Sequence, residues 1–171
     1  GCQMMNTAFY YYGLNKIYKS FSVNNIRDAV NAVITLNIKG FAITMPYKVD
    51  ILNYVDDIPD DIYNIGAANT VINNDGQLSP YNTDYLAAKE LLLDSKYLNK
   101  KLYILGNGGY SKAVEAAAKS INFDYDIISR NKWSYIKDIR NSVIYNCTPV
   151  ENIVVDKSNE FIDCIVTTKT G

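Results

Sequence analysis

Two charged side chains in the first half of the chain could carry proton chemistry. Lys48 follows an apolar run and a proline, and Asp84 lies at the start of a helical pattern. An ammonium and a carboxylate that meet in a cleft can act as a proton-transfer couple. Taken singly, they are equally well explained as a surface charge and a helix N-cap. The two residues therefore form a candidate pair whose meaning depends on the rest of the sequence.

The composition narrows the chemistry further. The chain has 171 residues and no histidine, which excludes Ser-His-Asp and Cys-His catalysis and disfavours a zinc hydrolase. The net charge of −1 argues against nucleic acid as a partner. The 3 cysteines are widely spaced and fit neither a disulfide framework nor a zinc site. We therefore expect free thiols in a reducing compartment, the cytoplasm, and no metal site. Because no apolar run could span a bilayer, we also expect no membrane association.

A second candidate site is the glycine-rich stretch 106–109, which reads Gly-Asn-Gly-Gly. Glycines between a strand and a helix allow a tight turn and let a pyrophosphate approach the helix N-terminus. A strict dinucleotide motif would have a third glycine where this chain has Ser111, and such a turn can also be purely structural. The strand and helix patterns on either side favour nucleotide binding.

The end of the following strand indicates which nucleotide would bind. An acidic residue about 20 positions beyond the glycines would bind the ribose 2′-hydroxyl of NAD. The chain has Ser129, Arg130 and Lys132 in this region instead. A guanidinium and an ammonium suit a 2′-phosphate, so the sequence favours NADP over NAD. The alternative is that both cations are solvated loop charges.

The elements that must position these residues alternate between helices and strands. Helical spacing of apolar residues predicts helices over 4–14, 26–34, 48–55 and 84–93, the second capped by Asn24 or Asn25. Apolar or alternating runs predict strands over 18–23, 40–45, 69–73 and 77–81. The last two flank Asn74, Asp75 and Gly76, a hairpin turn signal.

Beyond a polar stretch over 95–101, the pattern changes. Strands are predicted over 101–105, 125–129, 142–146 and 161–166, with a helix over 111–120 and one or two helical turns over 133–139. The order βαβαβ is typical of the mononucleotide-binding half of a Rossmann fold. The sequence therefore predicts an α/β protein, with an N-terminal α/β domain over residues 1–95 and a Rossmann-like domain over 96–171.

Taken together, five motifs in register resemble the shikimate dehydrogenase family. They are KGFAITMPYK at 39–48, IGAANTV at 65–71, YNTD at 81–84, GNGGYSKA at 106–113 and NCTP at 146–149. The resemblance extends over nearly the entire chain. It implies a substrate-binding N-terminal domain, an NADP-binding C-terminal domain, and reversible reduction of 3-dehydroshikimate to shikimate in aromatic amino acid biosynthesis.

The resemblance also implies roles for individual residues. Lys48 and Asp84 are similar to the family's catalytic lysine and its partner aspartate, and Asn69 and Thr44 to residues of the substrate pocket. The implied cofactor contacts are Gly106, Asn107, Gly108, Gly109, Tyr110, Ser111, Ser129, Arg130, Lys132 and Thr148. The implied partner is a small-molecule substrate, and the protein would be a monomer or a homodimer.

The sequence departs from the family pattern in four places, at Ala42, Tyr47, Pro80 and Glu151. The family's opening strand with its Ser-x-Ser motif and its closing glutamine and helix have no counterpart here, so we expect a chain that is short at both ends. Two alternatives stay open. One is a truncated or non-catalytic relative that binds a nucleotide, and the other is a quinate-type dehydrogenase, which would share the Lys/Asp couple.

Overall fold

The computed structural model describes residues 1–164, which fold into two sheets with helices packed against them. The helices are α1 (Cys2–Tyr11), α2 (Ile26–Thr35), α3 (Asp60–Ile65), α4 (Thr83–Leu93) and α5 (Gly109–Ser120), with 3-10 helices at Asp50–Tyr54 and Arg130–Asp138. The strands are β1 (Gly40–Ala42), β2 (Thr70–Asn74), β3 (Gln77–Tyr81), β4 (Leu102–Leu105), β5 (Tyr125–Ile128), β6 (Val143–Asn146) and β7 (Glu160–Asp163). The chain is therefore an α/β protein, as the sequence predicts.

The first sheet is antiparallel, with the order β1-β2-β3. The turn between β2 and β3 consists of Asp75 and Gly76, both at positive φ (53° and 101°), as a tight two-residue hairpin turn requires. Val71 and Leu78 point from these strands into a core shared with α2 and the first 3-10 helix. The predicted hairpin is confirmed, and so is the cap of α2, because the Asn25 side chain accepts a hydrogen bond from the Arg27 amide.

The second sheet is parallel, with the order β5-β4-β6-β7. After β4 the chain passes through α5 to β5 on one side, and later returns to β6 on the other side of β4. The carboxyl ends of β4 and β6 are therefore neighbours at the point where the strand order reverses, the usual place for a ligand in an open α/β sheet. The predicted strand and helix order of this half is confirmed, and of the predicted last strand, residues 165 and 166 lie outside the described residues.

The predicted strand over 18–23 is wrong. A strand needs a neighbour to pair with, and the backbone N–H and C=O of Tyr18 are instead taken by the carboxamide of Asn6, at 2.7 and 2.9 Å. Ile17 and Phe21 are largely exposed on this irregular segment.

In the first half, one predicted helix is wrong in type and one helix is not predicted at all. The segment 48–55 contains a short 3-10 helix rather than an α-helix, and α3 was missed. The signals for α3 are present in the sequence: Pro59 precedes it, two aspartates begin it, and Gly66 ends it in the left-handed conformation at φ 69°. Such start and stop signals mark a helix even when the apolar pattern is short.

Candidate active site

Lys48 and Asp84 form an ion pair between the two sheets. Lys48 Nζ donates to Asp84 Oδ2 at 2.6 Å. The two side chains are 18% and 20% exposed, so the pair is shielded from bulk water yet still open to a small molecule. A short charge-assisted hydrogen bond of this kind fixes the ammonium in direction as well as in place.

Backbone hydrogen bonds hold the motifs of the first half together around this pair. The carbonyl of Lys48 accepts from the Ala68 amide at 2.8 Å. The next residue, Asn69, donates its amide to Tyr81 at 3.0 Å and accepts from Ile43 at 2.8 Å. Segments that are far apart in sequence are thus joined at consecutive residues, which places Lys48, Asn69 and the start of α4 in one cluster.

Asp84 is oriented by the cap of α4. Asn82, which is 7% exposed, caps the helix by accepting from the Tyr85 amide at 3.1 Å and donates to the Ala67 carbonyl at 2.8 Å. The alternative interpretation of Asp84 as the N-cap is therefore wrong. Asp84 lies in the first turn instead, where the helix dipole favours a negative charge.

Asn69 is close to this cluster but its carboxamide is largely engaged. Its Nδ2 donates to Thr83 Oγ1 at 2.9 Å, and its Oδ1 accepts from the Thr83 amide and the Thr70 hydroxyl at 3.0 and 3.1 Å. Because an amide nitrogen carries two hydrogens, one N–H of Asn69 is left to donate to a ligand. Thr44 is exposed and follows Ile43, which is bonded to the Asn69 carbonyl.

The glycine-rich loop lies directly against Lys48. A Cβ on Gly109 would be 2.6 Å from Lys48 Cβ, a distance that side-chain atoms do not reach. Gly108 precedes α5 without a side-chain cap, and no atom lies within 4 Å of where its Cβ would be. The start of α5 is therefore uncapped by a side chain, and open space lies around Gly108, next to the residue that packs on Lys48.

The loop after β6 closes the other side of the glycine turn. Gly106 has φ 108°, and a Cβ there would be 2.9 Å from Thr148 Cγ2. Asn146, 1% exposed, holds this loop: its Oδ1 accepts from the amide and hydroxyl of Thr148, and its Nδ2 donates to Val150 O and Asp163 Oδ1. The carboxyl ends of β4 and β6 thus form one continuous surface.

The cations at the end of β5 are exposed. Arg130 and Lys132 begin the second 3-10 helix, and neither forms an ion pair with a carboxylate within residues 1–164. Ser129 Oγ bonds to Asn131 Oδ1 at 2.5 Å. Cationic side chains that have no acidic neighbour are available for an anionic ligand.

The titratable side chains packed behind the site are neutral. Burial raises the pKa of the phenols of Tyr110 and Tyr145 well above their usual range. Burial, with smaller contributions from Cys164 and Asp84, raises the pKa of the Cys147 thiol. All three side chains therefore stay uncharged at neutral pH, and the charge of the site is concentrated on Lys48 and Asp84.

Comparison with known proteins agrees with this geometry. The family model for the shikimate dehydrogenase substrate-binding domain matches residues 2–71. A shikimate dehydrogenase-like protein of Haemophilus influenzae is 40% identical over 122 residues, which cover 70% of this chain and 45% of that protein. A shikimate dehydrogenase (NADP(+)) of Caldanaerobacter subterraneus is 34% identical over 176 residues, or 97% of this chain and 62% of the relative.

The chain belongs to the shikimate dehydrogenase family. Among solved structures, shikimate dehydrogenase 1 of Peptoclostridium difficile superimposes with a TM-score of 0.80 at 26% identity, over 97% of this chain and 72% of that one. The sequence-based resemblance and the fold it implies, a substrate-binding domain followed by a Rossmann-like domain, are therefore confirmed. The chain spans about half the length of the curated relatives it matches.

The structure brings the catalytic and substrate-pocket residues that the family resemblance singled out to one place, together with one glycine of the stretch 106–109. Lys48 and Asp84 are bonded, Asn69 and Thr44 adjoin them, and Gly109 packs on Lys48. Among the described residues, no contact joins Ser129, Arg130 or Lys132, at the end of β5, to the Lys48–Asp84 pair. Two further members of the set direct their hydroxyls elsewhere. Ser111 is 2% exposed and donates back to the Gly108 carbonyl, and the hydroxyl of Tyr110 bonds to Tyr145.

Sequence reasoning missed the residues that hold this shikimate dehydrogenase-type site in shape. Asn82 and Asn146 lie inside the quoted motifs, but only the structure shows that their carboxamides tie two segments together. An Asn directly before a helical pattern is a readable N-cap signal. Tyr145 gave no signal, because a tyrosine in an apolar run looks like any other core residue.

No helix within residues 1–164 has the length and apolar character to cross a membrane. The same residues contain no group of three or more metal-ligating side chains that could hold an ion.

Proposed function

We propose that this chain carries the catalytic cleft of an NADP-dependent shikimate dehydrogenase, which interconverts 3-dehydroshikimate and shikimate. The observation that carries the proposal is the shielded Lys48–Asp84 pair with the glycine loop packed directly against it. A proton donor and a nucleotide-binding loop in contact are what a carbonyl reductase requires. The names of the relatives, shikimate dehydrogenase (NADP(+)) among them, supply the substrate class.

The residues at the carboxyl edge of the parallel sheet fit an NADP diphosphate and its 2′-phosphate. The open space beside Gly108 and the uncapped start of α5 suit the diphosphate, as helix N-termini suit anions generally. Arg130 and Lys132 would hold the 2′-phosphate, and Thr148 would border the nicotinamide side. When bound, NADPH supplies the hydride.

Lys48 would donate the proton to the carbonyl oxygen during reduction. Its ammonium also stabilises the negative charge that develops on that oxygen as the carbonyl is reduced. Asp84 keeps the lysine in one direction, because its carboxylate accepts the hydrogen bond from the ammonium at 2.6 Å. In the oxidation of shikimate, Lys48 would take the proton back from the hydroxyl.

Substrate hydroxyls would be bound by the side chains beside this pair. The remaining N–H of Asn69 can donate to one hydroxyl, and the Asp84 oxygen that does not accept from Lys48 can accept from another. Thr44 borders the same pocket. Holding the carbon that reacts in line with the nicotinamide accounts for a large part of the rate enhancement that such enzymes reach.

We propose the same division of labour that the sequence predicts: residues 1–95 bind substrate and residues 96–171 bind nucleotide, in a monomer or homodimer. The two separate sheets support this division. Helix α4 joins the two parts, because its buried residues Ala88 and Leu92 pack into the core of the second sheet. The free state of Cys2, Cys147 and Cys164 supports a reducing compartment such as the cytoplasm.

The decisive experiment is reduction of NADP⁺ by the purified chain with saturating shikimate, followed by absorbance of NADPH. We expect turnover with shikimate and a lower kcat/KM with quinate, and NADP⁺ should be preferred to NAD⁺. A higher kcat/KM with quinate than with shikimate would mean that the chain is a quinate-type dehydrogenase. A folded chain that binds NADPH, measured by fluorescence, but turns over neither acid would be a non-catalytic relative and would overturn the proposal.

A further inference from the structure

Tyr110, the second residue of α5, faces the ammonium of Lys48. Its ring centroid lies 5.5 Å from Lys48 Nζ, within the range of a cation–π contact. On its far side the ring is tethered, because its hydroxyl is 2.9 Å from the hydroxyl of Tyr145. Tyr145 is fully buried in β6 and also accepts from the thiol of Cys164 at 3.4 Å. The ring is therefore held in a fixed position beside the lysine.

We propose that Tyr110 is a positioning residue for Lys48, whose ring holds the ammonium against Asp84 and favours the charged lysine. The inference rests on the proposed function, because it gives Tyr110 a part in proton donation by Lys48. It also differs from the role that the family resemblance implied, in which Tyr110 would contact the cofactor.

The ring face, and not the hydroxyl, is the part of Tyr110 that acts on Lys48. The hydroxyl is engaged with Tyr145, and burial raises the pKa of both phenols so that neither becomes an anion. The charged group that faces the ammonium is Asp84, from α4. Two thiols lie nearby: Cys147, which stays neutral because burial raises the pKa of its thiol, and Cys164, which donates to Tyr145. Asp84 thus supplies the charge and Tyr110 a neutral, electron-rich surface.

Two contacts from different elements restrain the ammonium better than one. Asp84 attracts Lys48 Nζ from the start of α4, and Tyr110 from the start of α5. Loss of the ring leaves the lysine free to turn about Asp84 and removes a contact that exists only with the ammonium. The fraction of charged lysine at alkaline pH should then fall, and so should its alignment with the substrate oxygen.

The test compares Tyr110→Leu, which removes the ring, with Tyr110→Phe, which keeps the ring and removes only the tether. For 3-dehydroshikimate reduction, Tyr110→Leu should move the alkaline limb of kcat/KM down by roughly 0.5–1 pH unit, the range expected for a cation–π contact. It should lower kcat while leaving NADPH binding within about threefold, as expected for a group outside the cofactor site. Tyr110→Phe should leave the limb in place.

Tyr97→Leu is the matched control. It removes a ring 5.1 Å from another ammonium, that of Lys96, and should leave the limb and kcat unchanged. An unmoved limb in Tyr110→Leu would overturn the inference. Equal shifts in Tyr110→Leu and Tyr110→Phe would also overturn it, because the tether and not the ring would then be responsible.

A second readout does not depend on turnover. With ¹³Cε-labelled lysine, the Lys48 resonance can be assigned by its loss in Lys48→Arg and titrated in the full chain. Its midpoint should fall in Tyr110→Leu. Pentafluorophenylalanine at position 110, which keeps the ring's shape but reverses its quadrupole, should also lower the midpoint and serves if the leucine variant does not fold.

The two readouts separate the two proposals. The wild-type chain could show no turnover while the Lys48 titration midpoint still responds to the ring at position 110. This result would overturn the proposed function and support the Tyr110 contact. Turnover with shikimate and a midpoint that does not respond to the ring would sink the Tyr110 inference alone.

Discussion

Two lysine–aspartate pairs of the first half have the same residue types and the same sequence separation. Lys39 bonds to Asp75 at 2.9 Å and Lys48 to Asp84 at 2.6 Å, and each pair is 36 residues apart. The side chains of the first pair are 68% and 86% exposed, those of the second 18% and 20%. The first pair lies beside the turn of the hairpin, whereas the second lies beneath the glycine loop. Residue type and spacing therefore do not distinguish a surface ion pair from a candidate catalytic one, and the surroundings do.

The largest effect should come from removing the shielded lysine. Lys48→Ala deletes the proposed proton donor, and we expect kcat/KM to fall by roughly 10²–10⁴-fold, the usual contribution of general acid–base catalysis. Lys39→Ala removes the same group from the exposed pair and should leave kcat/KM unchanged. Steady-state kinetics with shikimate and NADP⁺ would check both, and comparable losses in the two variants would erase the distinction between the pairs.

The second largest effect should come from a substitution at Gly109, the glycine that packs against Lys48. Gly109→Ala would place a Cβ 2.6 Å from Lys48 Cβ, close to the backbone, so that α5 or the lysine must move. We expect activity to fall at least tenfold and the free energy of unfolding to fall by about 1–3 kcal/mol, as is typical of overpacking.

Gly108→Ala is the control for this substitution, because its Cβ would meet open space at an ordinary negative φ of −101°. It should leave the free energy of unfolding nearly unchanged and weaken only NADPH binding. Urea unfolding followed by circular dichroism, with NADPH fluorescence titration, measures both quantities. Equal stabilities of the two variants would argue against the contact between Gly109 and Lys48.

A smaller effect concerns a cation that has no acidic partner among the described residues. Arg130→Ala should weaken NADPH binding by about tenfold, in line with the loss of one charge-assisted hydrogen bond, and NADH binding much less. Lys137→Ala, at the other end of the same 3-10 helix, is the control and should leave both affinities unchanged. If NADPH and NADH were weakened equally, Arg130 would not contact a 2′-phosphate.

The smallest effect is expected at the exposed pair. Asp75→Asn keeps the side chain's shape and removes the charge that faces Lys39. The free energy of unfolding should change by less than about 1 kcal/mol, because exposed ion pairs contribute little, and a rise in salt concentration should reduce the difference. A larger change in urea unfolding would mean that the hairpin turn depends on this pair.

The sequence alone predicts the regular parts of this fold well, because they depend on local patterns. The Asn-Asp-Gly turn, the Asn25 cap and the strands of the parallel sheet follow from short stretches of chain. The segment 18–23 shows where this fails: its alternating pattern suits a strand, but a strand also needs a partner. The Asn6 carboxamide that takes up the Tyr18 backbone is a tertiary contact that no local pattern predicts.

The candidate site divides in the same way. The motif spacings predict which residues belong to it, and the structure places Lys48, Asp84, Asn69 and the glycine loop together. The spacings do not predict the direction in which each side chain points. The Tyr110 hydroxyl, for example, turns toward Tyr145, 35 residues away, while its ring faces Lys48.

The carboxamide of Asn146 has a consequence for the amino acids that this position tolerates. Its oxygen accepts two hydrogen bonds and its nitrogen donates two, so the hydrogen-bonding valence of the group is complete. Aspartate, although equal in size, would turn a carboxylate oxygen toward the Val150 carbonyl and the Asp163 carboxylate, and leucine could form none of the four hydrogen bonds. The loop after β6 therefore depends on a side chain that accepts at one end and donates twice at the other, and no other side chain of this size does both.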